Sequence, residues 1–161
     1  MDVKISTYDY LNKFVLGLVF IGAVVLSYGN EVGQFLESLS EGKWNNVVTT
    51  VFSVSALAIV YEAGILINRL GTMLEDFMRF LHLIPFDNDY KKFNEKKKEY
   101  PIMTVLSTEY ALSRNSIVLF LLVSVVVLTR FGWYCLIPLS FALVFYYSCR
   151  KYAKKIVDLM R

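Results

Sequence analysis

The feature that most constrains this chain is a set of four long stretches without a charged residue. They cover residues 14–30, 44–61, 115–129 and 131–149. A helix needs about 20 mostly apolar residues, within a range of about 17–25, to cross the hydrocarbon core of a bilayer. Three of the stretches reach that range, and the third gains its missing length from its flanks. The sequence therefore predicts an all-α integral membrane protein with four spanning helices.

Composition and patterning disfavour the other fold classes. The chain is 56% hydrophobic and 19% charged, whereas soluble domains are nearer about 45–50% and about 25%. A soluble helix carries a polar stripe along one face, but residues 117–128 read IVLFLLVSVVVL. Strands of a membrane β-barrel alternate apolar and polar residues, and these stretches do not. We therefore expect neither a soluble bundle nor a barrel.

The distribution of basic residues predicts the orientation. Of 17 Lys and Arg residues, Lys43 and Arg130 lie in the two short loops after the first and third stretches, and all others lie in the tails or the central segment. Basic residues are retained in the cytoplasm during insertion. We therefore expect a multi-pass protein of the cell inner membrane with both termini in the cytoplasm.

These expectations divide the chain into one domain, a four-helix bundle in the membrane with short cytoplasmic helical extensions. Its predicted spans cover residues 12–27, 46–69, 111–130 and 133–149. Residues 70–110 are predicted to form a cytoplasmic helical segment. Pro85 should end the helix that continues from the second span, because proline lacks an N–H and clashes with the preceding turn.

The second predicted span carries an unusual set of polar side chains. Ser55, Glu62 and Arg69 are seven residues apart and so lie nearly on one stripe, with Asn68 on a neighbouring stripe. Placing a carboxylate such as that of Glu62 at the bilayer centre costs at least about 2.5 kcal/mol. We therefore expect Glu62 to face a partner group, a water-filled path or another subunit.

Two interpretations of Glu62 stay open from the sequence. Rings of carboxylates attract cations in oligomeric channels, so Glu62 could line or gate a pore. Alternatively, Glu62 could pair with Arg69, Arg79 or Arg114 and clamp the helices together. Glu109 and Arg114, at the entry to the third span, are predicted to form a network at the inner mouth, with Glu109 pairing with Arg69 or Arg79. In a channel, Glu62 and Asn68 would set the polarity of the pore and the Glu109/Arg114 region would gate it.

The central segment contains the most polar block of the chain, FDNDYKKFNEKKKEY at residues 86–100. Basic groups interleaved with aromatic rings can bind nucleotides or single-stranded nucleic acid. Lysines beside a membrane helix also serve as topology signals or contact anionic lipids, and this interpretation carries more weight. The candidate ligand-binding residues are Tyr90, Lys91, Lys92, Phe93, Lys96, Lys97 and Lys98.

Signs of enzyme chemistry are absent from the sequence. It contains no P-loop, dinucleotide-binding glycine pattern, nucleophile elbow or metalloprotease motif. Cys135 and Cys149 lie at opposite ends of the last predicted span, about 21 Å apart, and cannot bridge each other within one chain. We predict no catalytic residue, metal or cofactor.

The four short spans, the intramembrane Tyr61-Glu62-Ala63-Gly64 and the basic block at residues 91–98 resemble the architecture of a known family. These are small four-span membrane effectors of bacterial anti-phage defence systems, such as the Hailong-type channel effector. In such systems, a partner nucleotidyltransferase makes an oligomer that controls an oligomeric ion channel. The resemblance implies a homo-oligomer in which the second span conducts ions and the basic aromatic block binds a nucleotide or oligonucleotide.

The sequence thus predicts an oligomeric ion channel or pore-forming membrane effector that is gated from the cytoplasm. The alternative is a non-conducting scaffold that recruits a cytoplasmic protein partner through residues 72–114. A small transporter fits less well, since transporters show internal repeats and broken helices near the midplane. Neither feature is evident here.

Overall fold

The computed structural model describes residues 7–40, 46–85 and 90–160, and within these ranges every regular element is helical. The all-α prediction is thereby confirmed. Lys43, which entered the predicted orientation, lies outside the described residues. The elements are α1 (Thr7–Ser40), α2 (Asn46–Phe80), α3 (Tyr90–Glu99), α4 (Ile102–Phe131), a 3-10 turn (Gly132–Cys135) and α5 (Leu136–Met160).

Three helical stretches of the described chain are long and apolar enough to cross a membrane: Tyr10–Ser38, Thr50–Phe80 and Ile102–Met160. The third comprises α4 and α5, which meet at the 3-10 turn, so the number of long helices equals the four that were predicted. With 35 residues, α2 is roughly 52 Å long, whereas the hydrocarbon core is about 30 Å thick. It ends at Phe80, before Pro85.

The first helix extends further than its predicted span. Helical dihedral angles are interrupted at Tyr28 (φ −127°, ψ 27°), where an end was expected, but a helix resumes and reaches Ser40. Two contacts fix the direction after this kink. The hydroxyls of Tyr28 and Thr129 share a hydrogen bond, and Arg130 lies 3.3 Å from Glu31. The kink therefore lets α1 stay against the end of α4.

Helices α1 and α2 cross at a pair of glycines. A Cβ added to Gly17 would lie 1.8 Å from the Val60 carbonyl oxygen, and one added to Gly64 would lie 1.8 Å from the Lys13 carbonyl oxygen. The two backbones can approach this closely because neither glycine has a side chain. A Cβ added to Gly22, by contrast, would have no atom within 4 Å.

Helix α4 is the centre of the molecule, since it packs against α1, α2, α3 and α5. One apolar cluster joins Leu16 of α1 and Ile67 of α2 to Val118 and Leu119 of α4. A second cluster joins the end of α2, the start of α4 and the end of α5. Among the described elements, α5 makes backbone contact with α4, α3 and the 3-10 turn. The helices are therefore grouped around α4 rather than arranged as a closed ring of four.

The pairwise contacts define two ends of the molecule. We call the end where α4 meets α5 the hairpin end, and Gly132 there adopts a positive φ of 57°, which glycine permits. We call the opposite end, where α1 begins and α5 finishes, the terminal end. The end of α2, the start of α4 and the second apolar cluster all lie at the terminal end.

Candidate functional site

Helix α2 has two sharply different faces. Val60, Gly64, Ile67, Gly71 and Glu75 are buried and point towards α1 and α4. Their spacing of three or four residues places them on one side of the helix. The opposite side is exposed over its whole described length, from residue 51 to residue 80. The two faces hold different candidate sites.

The outer face carries the predicted polar stripe. Ser55, Glu62 and Arg69 are all exposed, and Asp76, seven residues beyond Arg69, continues the stripe and is exposed as well. Successive members are about 10.5 Å apart along the axis. Large apolar residues surround them on the same face, including Leu66, which is 58% exposed. The stripe therefore lies on the outside of the molecule, within a helix apolar enough to cross a membrane.

The predicted clamp does not involve Glu62. Among the described residues, Glu62 forms no ion pair, and Arg79 and Arg114 both contact Glu75 instead. Arg69 is exposed on the outer face. The reason is geometric: Glu62 points away from α4, whereas Glu75 points towards it. The clamp exists, but a different carboxylate forms it.

The inner face of α2 holds a buried polar network with α4. Glu75, a residue that is 6% exposed, accepts hydrogen bonds through its carboxylate from Arg79 on its own helix and from Arg114 on α4, the latter at 2.5 Å. The Asn68 side-chain oxygen accepts from Asn115 Nδ2 at 2.8 Å and from Arg114 Nη2 at 3.5 Å. Arg114 Nε donates to Asn115 Oδ1 at 3.2 Å. We call these five residues the Glu75 network.

Gly71 makes room for this network. A Cβ at that position would lie 2.3 Å from Asn115 Oδ1 and 3.3 Å from Arg114 Nε, so any larger residue would displace the polar groups. Ser113 and Ser116 flank Arg114 and Asn115 and are also buried. Because one carboxylate faces two guanidinium groups, the network has a formal charge of +1. Buried charges are tolerated when they are paired and hydrogen-bonded, and this arrangement fixes α2 against α4.

Glu75 was missed by the sequence analysis, although a signal was present. Tyr61, Asn68 and Glu75 are spaced by seven residues, so the stripe beside Glu62 continues one step further to Glu75. Glu75 also precedes Arg79 by four residues, a favourable helical ion-pair spacing. Glu109, which was expected to pair with Arg69 or Arg79, is partly buried and forms no ion pair within 4.0 Å among the described residues.

The basic block forms helix α3, which begins with Tyr90 and Lys91. Phe93 packs against the second apolar cluster, so this ring supports the fold rather than a stacking platform. Lys92, Lys97 and Lys98 are exposed. The structure thus brings the block to the terminal end, beside α4 and α5.

The charge of Lys96 is balanced within α3. Its Nζ donates to Glu99 Oε2 at 2.8 Å and lies 5.3 Å from the centroid of the Tyr100 ring. The hydrogen bond from Lys96 lowers the pKa of the Glu99 carboxyl, and the same bond raises the pKa of Lys96. This pairing leaves Lys97 and Lys98 better placed than Lys96 to meet an anion.

The described residues contain no group of three or more His, Cys, Asp or Glu side chains that could hold a metal ion. Cys149 is fully buried in the second apolar cluster, and both cysteines are free thiols. No protein-family model, curated protein or solved structure matches this chain. The features that indicate a function are therefore those of α2, α3 and α4.

Proposed function

We propose that this protein is the subunit of a homo-oligomeric ion channel or pore-forming effector in the cell inner membrane, gated from the cytoplasm. The observation that carries the proposal is the exposed stripe of Ser55, Glu62 and Arg69 on α2. If a single copy were surrounded by lipid, each charged side chain near the bilayer centre would cost at least about 2.5 kcal/mol. Contact with a second copy or with water in a shared pore removes that cost.

The proposed pore forms between subunits rather than within one. The middle of each subunit is filled by α4, whose residues Ile117, Val118 and Leu119 are buried. The outer face of α2 lies on a helix that is long enough to span a membrane, and it exposes carboxylate, guanidinium and hydroxyl groups. Facing the axis of a ring, Glu62 would attract cations and Arg69 would shape the potential at one mouth. Ion selectivity would then depend on Glu62.

The proposed orientation puts the terminal end in the cytoplasm. The N-terminal tail up to Lys13, the central segment from Arg69 to Arg114 and the C-terminal tail from Arg150 carry 15 of the 17 basic residues, which favours their retention there. The Glu75 network and α3 would then lie at the cytoplasmic side, where a ligand could reach them. Because the Glu75 network joins α2 to α4, a ligand that shifts α2 relative to α4 must rearrange it. We propose this network as the gate. Asn68 and Arg114 are members of it, and Glu109 lies five residues before Arg114 on α4.

The ligand we propose is a nucleotide or oligonucleotide held by the exposed lysines of α3. Support comes from the exposed lysines Lys97 and Lys98 and from the resemblance to anti-phage channel effectors. Phosphate groups bind clustered lysines through charge-assisted hydrogen bonds. A role in anti-phage defence rests on that architectural resemblance.

A non-conducting scaffold is the second candidate, and one observation favours it. Several large apolar side chains near the terminal end are exposed on residues 72–114, namely Met73, Phe77, Phe80, Ile102 and Val105. Exposed apolar patches of this kind often mark contacts with other proteins. In that case, the outer face of α2 would pack against a partner helix, with Glu62 paired rather than hydrated.

Reconstitution separates the two candidates. Purified full-length protein in liposomes would be assayed for cation flux with and without ATP and short single-stranded oligonucleotides as probes. We expect flux that Glu62→Gln reduces at least tenfold, whereas Glu95→Gln, which removes the same charge from an exposed site on α3, has no effect. Absence of flux under every condition would contradict the channel. Partner binding abolished by charge reversal at Lys96, Lys97 and Lys98, with Glu62→Gln silent, would establish the scaffold.

A further inference from the structure

A polar cavity lies at the terminal end, between the turn after α2 and the last turns of α5. Its volume is about 340 Å³, and its walls include His82, Leu83 and Pro85 on one side and Arg150, Lys154 and Asp158 on the other. Small-molecule sites in proteins typically begin at about 300 Å³. The cavity is separate from the outer face of α2 and from the Glu75 network.

The wall formed by the turn after α2 is held in place by the helix cap. His82 N–H donates to the Arg79 carbonyl at 2.9 Å, and Leu83 N–H donates to the Met78 carbonyl at 2.9 Å. This pair of bonds is the Schellman cap, which requires a left-handed residue at its turn position. His82 supplies it with a φ of 56°. The imidazole therefore sits on a backbone turn with a defined geometry.

The wall formed by α5 is equally well anchored. Ala153 and Ile156 are buried in the second apolar cluster, together with Ile84 from the opposite wall. The Tyr146 hydroxyl donates to the Leu83 carbonyl at 3.5 Å, which links the two walls directly. The cavity is therefore preformed, so a ligand would not have to order it.

Charges in the cavity favour an anion with a polar neighbour. Arg150 and Lys154 are four residues apart, so their side chains lie side by side on α5. Both are exposed, and neither forms an ion pair with any described residue. Asp158, one turn further on, can accept a hydrogen bond from a hydroxyl group. Guanidinium and ammonium groups are the usual phosphate donors in proteins.

From this geometry we propose that the cavity binds a phosphate group that carries a neighbouring hydroxyl, with Arg150 and Lys154 on the phosphate and Asp158 on the hydroxyl. The position suits two sources of that chemistry. Arg150 directly follows the last charge-free stretch, at residues 131–149. If that stretch spans the bilayer, Arg150 lies at the level of the lipid phosphates. A soluble phosphate ester could also enter from the same side. The proposal does not depend on whether the protein conducts ions.

Native mass spectrometry of the full-length protein in mild detergent tests the site. The lipid probes are phosphatidylglycerol, which has headgroup hydroxyls, and phosphatidylcholine, which has none, and the soluble probe is glycerol phosphate. We expect Arg150→Gln with Lys154→Gln to weaken binding of one of the hydroxyl-bearing probes by at least about tenfold, since charged hydrogen bonds are involved. The matched control is Lys151→Gln with Lys155→Gln, which removes the same charge from the same helix outside the cavity.

The outcomes separate the sources and can overturn the proposal. Binding of phosphatidylglycerol that depends on Arg150 and Lys154 would establish a lipid headgroup site, and the same dependence for glycerol phosphate would establish a soluble ligand. Asp158→Asn should reduce the preference for hydroxyl-bearing probes. Equal losses in the two double variants would show that surface charge alone attracts the anion. That result would refute the site. The site would also be refuted if no probe bound to the wild type or to a variant with the same melting temperature.

Discussion

Replacing Glu75 by glutamine should destabilise the protein strongly, because it removes the buried carboxylate that Arg79 and Arg114 share. The side chains of Glu75, Arg114 and Arg79 are 8%, 12% and 17% exposed, so water can compensate little for the lost charge. Removing one partner from a buried ion pair typically costs about 3–5 kcal/mol. For a chain of this length that loss corresponds to a fall in melting temperature of about 6–20 °C.

The neighbouring residue provides a matched control. Asp76→Asn removes the same charge one position further along α2, but Asp76 is exposed on the outer face, where substitutions usually change stability by less than about 0.5 kcal/mol. Thermal unfolding of both variants in one detergent, followed by tryptophan fluorescence, makes the comparison. Equal shifts for Glu75→Gln and Asp76→Asn would refute the assignment of the buried network to Glu75.

A double-mutant cycle tests the pairing itself. Arg114→Gln should also destabilise the protein, because it removes the guanidinium group of α4 that donates hydrogen bonds to both Glu75 and Asn68. Since the two side chains share one network, the double variant should lose less than the sum of the single losses, with a coupling of about 0.5–3 kcal/mol. Strict additivity would mean that the two residues stabilise the fold independently.

Three further predictions concern the helix contacts. Gly64→Ala should cost about 1–3 kcal/mol, because its Cβ would overlap the Lys13 carbonyl, whereas Gly22→Ala, with open space, should be neutral or stabilising in the same melting assay. His82→Gly should raise the melting temperature slightly, because glycine adopts the left-handed backbone conformation that costs histidine about 1–2 kcal/mol, and the cap of α2 is kept. A lower melting temperature would show that the imidazole stabilises the protein by more than this backbone cost. Because the pKa of Glu99 is lowered by Lys96, the contribution of this pair to stability should persist at neutral pH and be lost only as the pH falls through that lowered pKa. In Lys96→Ala, the pKa of Glu99 measured by NMR titration should rise. An unchanged pKa would contradict the hydrogen bond.

The long helices could be predicted from the sequence because they depend on local patterns. Charge-free stretches of sufficient length define membrane-spanning helices almost independently of their neighbours. The continuation of α1 beyond Tyr28 was harder to predict. It depends on tertiary contacts to Thr129 and Arg130, about 100 residues away in sequence, which no local pattern records.

The buried network could be predicted less well, for a different physical reason. Spacing on a helix tells which residues share a face but not which face meets a neighbour. Glu62 and Glu75 lie on faces of α2 that differ by roughly 140°, given about 100° per residue. Only the position of α4 shows that Glu75 is inside and Glu62 outside. The clamp, which was one of the two interpretations of Glu62, is therefore formed by Glu75, with Arg79 and Arg114 as its partners.

The carboxylates of Glu62 and Glu75 should affect different properties of the protein, because they lie on opposite sides of α2. Glu75 has its counter-charges within its own chain, so its effect should be on stability. Glu62 has no ion pair within the described part of its own chain, and apart from the stripe that it forms with Ser55, Arg69 and Asp76, the residues around it are apolar enough for lipid. Such a group is retained only if something outside the chain solvates it, either water or another subunit. Loss of Glu62 should therefore leave the unfolding temperature of the isolated subunit nearly unchanged while altering assembly or ion flux, which is the reverse of the pattern expected for Glu75.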